Sequence, residues 1–448
     1  MGVSTVNAPR WARHQRGLSL IELMIATLLG LMVSAGVIVL FNSASHIFRT
    51  EAQLARLQEE GRFVVAQIRS DLAMSGGLYC NNSGGNASSG TGFPADGLRV
   101  PTVYASDPGA LTRALSDVTT PLGFAPAGPY SLPSFLAMRG YDCTTTGCSP
   151  IDPSSGIGIP AMGTAVGKRV VGTSVITVRY LNPKGGWAIA PDGDAMGSKL
   201  VKNVDGTLGI RLAPTSGEPP IDDFKSQVAL LADCSGGQIF AVSGQGSAEL
   251  TSTGNNFVQP VVDEHGVAPR LFDLSRDFRT VTYYLKVVDS GDGLGHKTGA
   301  LVRRVNVGHG GSSEEIARGI ERLDFKYGVR LSDGRVRYYT AAQVDNGAKS
   351  DCLPVPVPIP GSDDRGCLWR SVSLIEVNLL MDGQQPLYSL TPDELAYTYA
   401  ADNTSKGAQS PQSPTAATRK VTPSKQGFPL SMLRREFGTV VAVRNFNP

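Results

Sequence analysis

The chain has 448 residues, of which 41% are hydrophobic and 18% charged, and its net charge is +2. That length can bury at least one large core and leaves room for two or three domains, while the small charge excludes an extended basic face for nucleic acid. The 52 glycines and 29 prolines, set against few aromatic residues, suit many short strands joined by turns better than a bundle of helices.

Residues 1–17 contain Arg10, Arg13 and Arg16 and no acid, so the basic excess lies here and the rest of the chain is slightly acidic. Residues 18–41, LSLIELMIATLLGLMVSAGVIVLF, form one apolar run whose only charge is Glu22. As a helix this run spans roughly 36 Å, enough to cross a hydrocarbon core of about 30 Å. Arg13 and Arg16 precede it and few positive charges follow closely, which places residues 1–17 in the cytoplasm and the bulk of the chain outside it.

An ordinary secretory signal is cut after its apolar core, at small residues. No A-x-A pattern follows Val39-Leu40-Phe41, and Ser43-Ala44-Ser45 is a weak substitute. The notable junction comes before the run, at Arg16-Gly17-Leu18-Ser19-Leu20-Ile21-Glu22. A basic leader, then Gly, then an apolar segment with Glu at its fifth place resembles the type III signal of type IV prepilins and pseudopilins. The family usually has Phe after the Gly; here it is Leu18. The resemblance implies that a prepilin peptidase cleaves between Gly17 and Leu18 and that Leu18 is then N-methylated. It also implies that Glu22 pairs with the N-terminal amine of a neighbouring subunit, cancelling two charges during assembly. A carboxylate inside a bilayer is costly and usually marks function. The plainer reading is a signal anchor whose Glu22 lies near the interface by accident.

Beyond Phe41 the pattern turns amphipathic. Ile47, Leu54, Leu57, Val64, Ile68 and Leu72 recur near helical spacing, and Arg49, Glu51, Arg56, Glu59, Glu60, Arg62 and Arg69 take the other face as a solvated surface. No Pro interrupts residues 18–75, so one helix is expected there, transmembrane over 18–41, with Gly30, Gly36 and Gly61 able to loosen it and Gly76-Gly77 ending it. Residues 81–95 read as a Gly/Ser/Asn loop.

Strands are expected around 174–181, 227–232, 238–243, 279–288, 300–307, 322–340, 371–381 and in the final GTVVAVRN. Asp333-Gly334 marks a hairpin, and residues 313–321 read as a short helix or turn. Segment 402–427, poor in apolar residues and rich in Ser, Thr and Pro, reads as a flexible loop. No repeat or linker divides 76–448, so the expected fold is α+β: a long N-terminal helix packed on one exported, predominantly antiparallel β-rich domain.

The six cysteines, Cys80, Cys143, Cys148, Cys234, Cys352 and Cys367, form no CxxC pair and no zinc-spaced cluster. An even set in an exported region reads as disulfides. Proximity favours Cys143–Cys148 and Cys352–Cys367, which leaves Cys80 and Cys234 to each other.

Four segments carry a narrower resemblance: GRFVVAQIRSDLAMSGGLYC (61–80), LLADCSGGQIFAV (230–242), IARGIERLDFKYGV (316–329) and MLRREFGTVVAVRN (432–445). In this order they resemble the blocks of PilW-type minor pilins, and the first and last are also seen, more loosely, in J-type minor pseudopilins of type II secretion. Segments 95–165 and 340–425 look like insertions on that pattern. The resemblance implies an inner-membrane protein that later enters a surface pilus. Its partners would be other minor and major pilins, a tip adhesin, the prepilin peptidase and the inner-membrane assembly platform.

No catalytic motif appears: His14, His46, His265, His296 and His309 are scattered, and no GxSxG, HExxH or Walker A pattern is present. Asp289-Ser290-Gly291-Asp292-Gly293 has some likeness to a cation loop but sits between two strand-like runs, as a polar hairpin turn does. Neither an enzyme nor a cofactor or metal is expected. The leading expectation is a structural minor pilin supporting pilus biogenesis, motility and adhesion. The alternatives are a minor pseudopilin of a secretion or DNA-uptake system, and an anchored adhesin that binds through its inserted loops.

Overall fold

The structure, a computed structural model, describes residues 19–79, 100–120, 122, 126–190, 197–204, 206–233, 236–253, 257–258, 268–306, 311–353, 355, 357–360, 364–388, 390–402, 410–411 and 421–445. Gly17, Leu18, Cys80, Cys234, the loop 81–95 and most of 402–420 lie outside the described residues. The chain divides into two compact units, Met1–Leu54 and Ala55–Pro448. Helix α1, Leu20–Ala73, begins in the first and ends in the second.

In the first unit α1 is apolar on every side from Leu20 to Phe41, apart from Glu22, Thr27 and Ser34. Its most apolar 18-residue stretch has a mean hydropathy of 2.5, none of it is buried, and the helix is long and apolar enough to cross a membrane. Side chains from Leu20, at 75% exposure, to Phe41, at 72%, are presented outward. A helix apolar on every side needs an apolar surrounding such as lipid or other helices.

The second unit is built on three sheets. The six-stranded sheet comprises β1 (Met138–Cys143), β2 (Cys148–Ser149), β3 (Val175–Leu181), β4 (Phe278–Asp289), β5 (Lys297–Val305) and β6 (Ser312–Arg318), in the order β6-β5-β4-β3-β1-β2. The four-stranded sheet comprises β7 (Ile320–Arg330), β8 (Val336–Tyr339), β9 (Val372–Asp382) and β10 (Arg434–Ala442), in the order β8-β7-β9-β10. All pairs within these two sheets are antiparallel. The third sheet has nine shorter strands and includes Val228–Ala232, Gly237–Ser243 and Arg270–Asp273. Its Thr102–Val103 strand runs parallel to Gly237–Ser243. Trp187, Phe224, Phe240, Phe257 and Leu271 form a core cluster against this third sheet.

Central strands β4 and β7 are buried on both faces, as their dense Val, Leu, Ile, Phe and Tyr content dictates. Residues 313–321, expected as a helix or turn, instead supply most of edge strand β6. Ser312, Ser313, Glu314 and Glu315 are all exposed, so no apolar alternation marked it as a strand. Charge on an edge also blunts its tendency to pair with other chains. The Asp333-Gly334 turn joins β7 to β8, with Gly334 in the left-handed region at φ +80°.

Parts of segment 95–165 belong to the sheets: Thr102–Val103 pairs with Tyr130–Ser131 and with Gly237–Ser243, and β1 pairs with β3. From the second segment, 340–425, β9 lies at the centre of the four-stranded sheet.

Candidate assembly site

At the start of α1, Ser19 and Glu22 form a reciprocal cap. The Ser19 backbone N–H donates to Glu22 Oε2 at 3.0 Å, and the Glu22 N–H donates to Ser19 Oγ at 3.2 Å. Two otherwise orphaned donors are satisfied, and a carboxylate meets the positive end of the helix dipole. Sequence reading singled out Glu22 but overlooked Ser19, although Ser-x-x-Glu is the capping-box signature. Gly17 and Leu18 precede the described residues.

In the second unit the buried stripe of α1 is Leu57, Gly61, Val64, Ile68 and Leu72. Gly61 is needed for contact: a Cβ there would lie 2.5 Å from the Phe437 ring of β10. In its last turn the helix buries Asp71. Tyr180 of β3 donates to Asp71 Oδ1 at 2.7 Å and Tyr283 of β4 to Oδ2 at 2.6 Å. Arg303 of β5 completes the set through Nε to Oδ2 at 2.6 Å and Nη2 to Oδ1 at 3.1 Å. Burial pushes the Asp71 carboxyl up, but the bonds from Arg303, Tyr283 and Tyr180 outweigh it and hold the group below the usual carboxylate range. Arg303 is correspondingly held above its ordinary value by its bond to Asp71.

After Ala73 the chain is fixed by backbone bonds. The Gly76 N–H donates to the Arg179 carbonyl, the Leu181 N–H to the Gly77 carbonyl, and the Arg444 N–H to the Ala73 carbonyl. Gly76 takes φ +71°, the left-handed helix stop that glycine adopts freely. The same residues 61–80 that carried the resemblance thus supply the contacts joining helix to sheets.

A second buried ion cluster lies where β7, β9 and β10 meet. Arg434 bonds both oxygens of Glu321 at 2.8 Å, and Asp382, the cross-strand partner of Arg434, accepts from Thr298 Oγ1 at 2.9 Å and the Gln384 N–H at 2.7 Å. Burial, with the Glu321 charge adding to it, pushes the Asp382 carboxyl up to about 7.

Cys143 is bonded to Cys148, and Cys352 to Cys367. The Asp289–Gly293 segment forms the turn between β4 and β5. There Asp289 accepts from the Gly291 N–H, Asp292 accepts from the Leu294 N–H, and Asp292 is ion-paired with His296. Among the described residues no group of three or more His, Cys, Asp or Glu is placed to hold a metal ion.

Two family matches fall on this framework. Residues 12–38 match the prokaryotic N-terminal methylation motif, which contains Glu22. Residues 282–445 match Type IV Pilus-assembly protein W, covering two thirds of β4 and all of β5 to β10. That family is structural rather than catalytic. Comparison with curated proteins and with solved structures found no match. A methylation motif at the start of an apolar helix, followed by a region similar to pilus-assembly protein W, is consistent with a PilW-type minor pilin.

Proposed function

We propose that this chain is a minor pilin that helps prime type IV pilus assembly and sits near the pilus tip, supporting twitching motility and adhesion. In this reading a prepilin peptidase cuts after Gly17, and the new α-amine on Leu18 is methylated. Until assembly the helix holds the protein in the inner membrane, with its N-terminus cytoplasmic and its β-rich domain periplasmic. The inner-membrane assembly platform then passes it into a filament beside major pilins, other minor pilins and a tip adhesin. The proposed organisation is a leader over 1–17, a pilin helix over 18–75 and an exported domain over 76–448.

One observation carries this reading: from Leu20 to Phe41 the helix exposes apolar side chains, and Glu22 is the sole acidic or basic residue among them. An anchor gains nothing from that carboxylate, which costs about 2.5–3.5 kcal/mol at a bilayer centre on insertion scales and less near an interface. A subunit that must neutralise a neighbour's N-terminal amine needs it. The test uses Glu22→Ala in a strain that depends on this protein, with membrane fractionation and sheared-pilus yield measured together. Normal insertion with few pili is expected; normal pilus yield would argue against charge pairing. Gly17→Leu should leave the precursor uncut. Unchanged piliation in a deletion strain that has lost protein secretion would favour a pseudopilin instead.

A further inference from the structure

Cys143 ends β1 and Cys148 begins β2; they face each other in register and are bonded. Arg169, fully buried, lies against both sulfurs. Its Nη1 is 3.0 Å from Cys143 Sγ and 3.5 Å from Cys148 Sγ, and its Nη2 is 3.5 Å from Cys148 Sγ. The rest of the guanidinium meets the Pro160 carbonyl through Nε at 3.3 Å and Asp152 Oδ1 through Nη2 at 3.3 Å. Asp152 is 46% exposed and also accepts from the Ser154 N–H.

A disulfide sulfur is a weak acceptor, so a desolvated guanidinium gains little from touching one. A thiolate in the same place would be a strong, charge-assisted partner. The site therefore favours the reduced pair more than the oxidised pair it holds. Among the described residues the other disulfide has no such guanidinium contact: Cys352 Sγ faces the Ala348 carbonyl at 3.6 Å.

We propose that Cys143–Cys148 is a thiol–disulfide exchange site, at which the Arg169 guanidinium stabilises the thiolate formed when an external dithiol reduces the bond. Cys148 is half-buried and Cys143 more deeply buried, so the incoming thiolate attacks Cys148 Sγ. The S–S bond breaks and its electron pair leaves on Cys143, opposite Nη1. The second thiol of the reductant then attacks the mixed disulfide and releases Cys148. The dithiol ends as a disulfide, and the two cysteines have gained its two electrons. Asp152 opposes the effect by drawing on the same positive charge.

The test equilibrates the full-length protein in detergent with dithiothreitol redox buffers at pH 7, alkylates free thiols after acid quench, and counts the cysteine peptides by mass. Cys143–Cys148 should be reduced in milder buffers than Cys352–Cys367 in the same molecules. Arg169→Gln should lower its reduced-to-oxidised ratio about tenfold, equivalent to roughly 30 mV for a two-electron couple. Asp152→Asn should raise the ratio severalfold, and Arg169→Lys should stay near the parent. Opposite shifts are the signature, because packing damage alone would move both variants the same way. Equal or parallel shifts for Arg169→Gln and Asp152→Asn overturn the proposal. If Arg169→Gln does not fold, failure of Asp152→Asn to raise the ratio overturns it alone.

Discussion

Asp71 and Arg303 stand 232 positions apart in the chain and meet at 2.6 Å, joining the last turn of α1 to β5 of the six-stranded sheet. The carboxylate is 7% exposed and the guanidinium 18%, so neither is well served by water if the other is removed. Arg303→Gln or Asp71→Ala should therefore destabilise the second unit by about 3 kcal/mol, the scale for breaking a buried pair on one side. Guanidinium unfolding of the full chain in detergent, followed by tyrosine fluorescence, measures this. Because the folded Asp71 carboxyl titrates below its unfolded value, its contribution is present above about pH 4 and is lost as pH falls through the lower folded value. The Asp71→Asn variant should lose that acid-side dependence.

Gly61 should resist enlargement. Alanine there gains about 1 kcal/mol of helix propensity but drives a methyl into the Phe437 ring, a penalty of about 1–3 kcal/mol. Gly61→Leu should be worse, and trimming Phe437→Ala should relieve Gly61→Ala without relieving substitutions elsewhere. A double-mutant cycle on thermal unfolding reads the coupling. A Gly61→Ala protein as stable as its parent would mean that the helix and β10 can separate freely.

The pH response of Asp382 has the opposite sign to that of Asp71. Its carboxyl is pushed up to about 7, above the unfolded value near 4, so the folded state holds the extra proton. Stability from this group is full below about pH 4 and declines as pH rises towards 7. Asp382→Asn keeps an acceptor for the Gln384 N–H and removes the charge beside Glu321. It should flatten the decline between pH 4 and 7 and match or exceed the parent at pH 8. A denaturation midpoint that falls at pH 8 would refute the protonation argument.

Cys80 and Cys234 are proposed to be joined. Tyr79 packs on Phe272 at 5.7 Å, Phe272 pairs with Leu230, and Arg270 pairs with Ala232, so the described chain next to each cysteine reaches one sheet. Non-reducing peptide maps should show the Cys80–Cys234 link, and a free thiol at Cys80 would end the idea. Closing so long a loop constrains the unfolded chain by roughly 4–5 kcal/mol in the entropy model.

Much of the architecture could be read from periodicity alone. The apolar run from residue 18 and the 57, 64, 68, 72 spacing foretold α1, and the Val- and Tyr-rich 279–288 and 300–307 runs foretold β4 and β5. Strands of four residues such as Lys199–Lys202, Leu208–Arg211 and Glu249–Ser252 escaped notice, being too short and too polar to show alternation. Asp71 was equally silent. An acid on an amphipathic helix looks like solvated surface until Tyr180, Tyr283 and Arg303 arrive from three distant strands. Buried polar pairing is a long-range property, whereas caps such as Ser19–Glu22 are local and can be found three residues apart.

The joint at the end of α1 also has a mechanical meaning. A pull along the helix reaches the sheets through the Arg444 N–H on Ala73, the Gly76 N–H on Arg179 and the Leu181 N–H on Gly77, beside the Asp71 cluster. These attachments lie on β3 of the six-stranded sheet and on the segment that directly follows β10 of the four-stranded sheet. Tension would thus be divided between sheets and resisted by several bonds at once rather than unzipped one after another. In single-molecule stretching, Arg303→Gln should lower the force at which the helix peels from the domain, while leaving the later unravelling of the sheets unchanged.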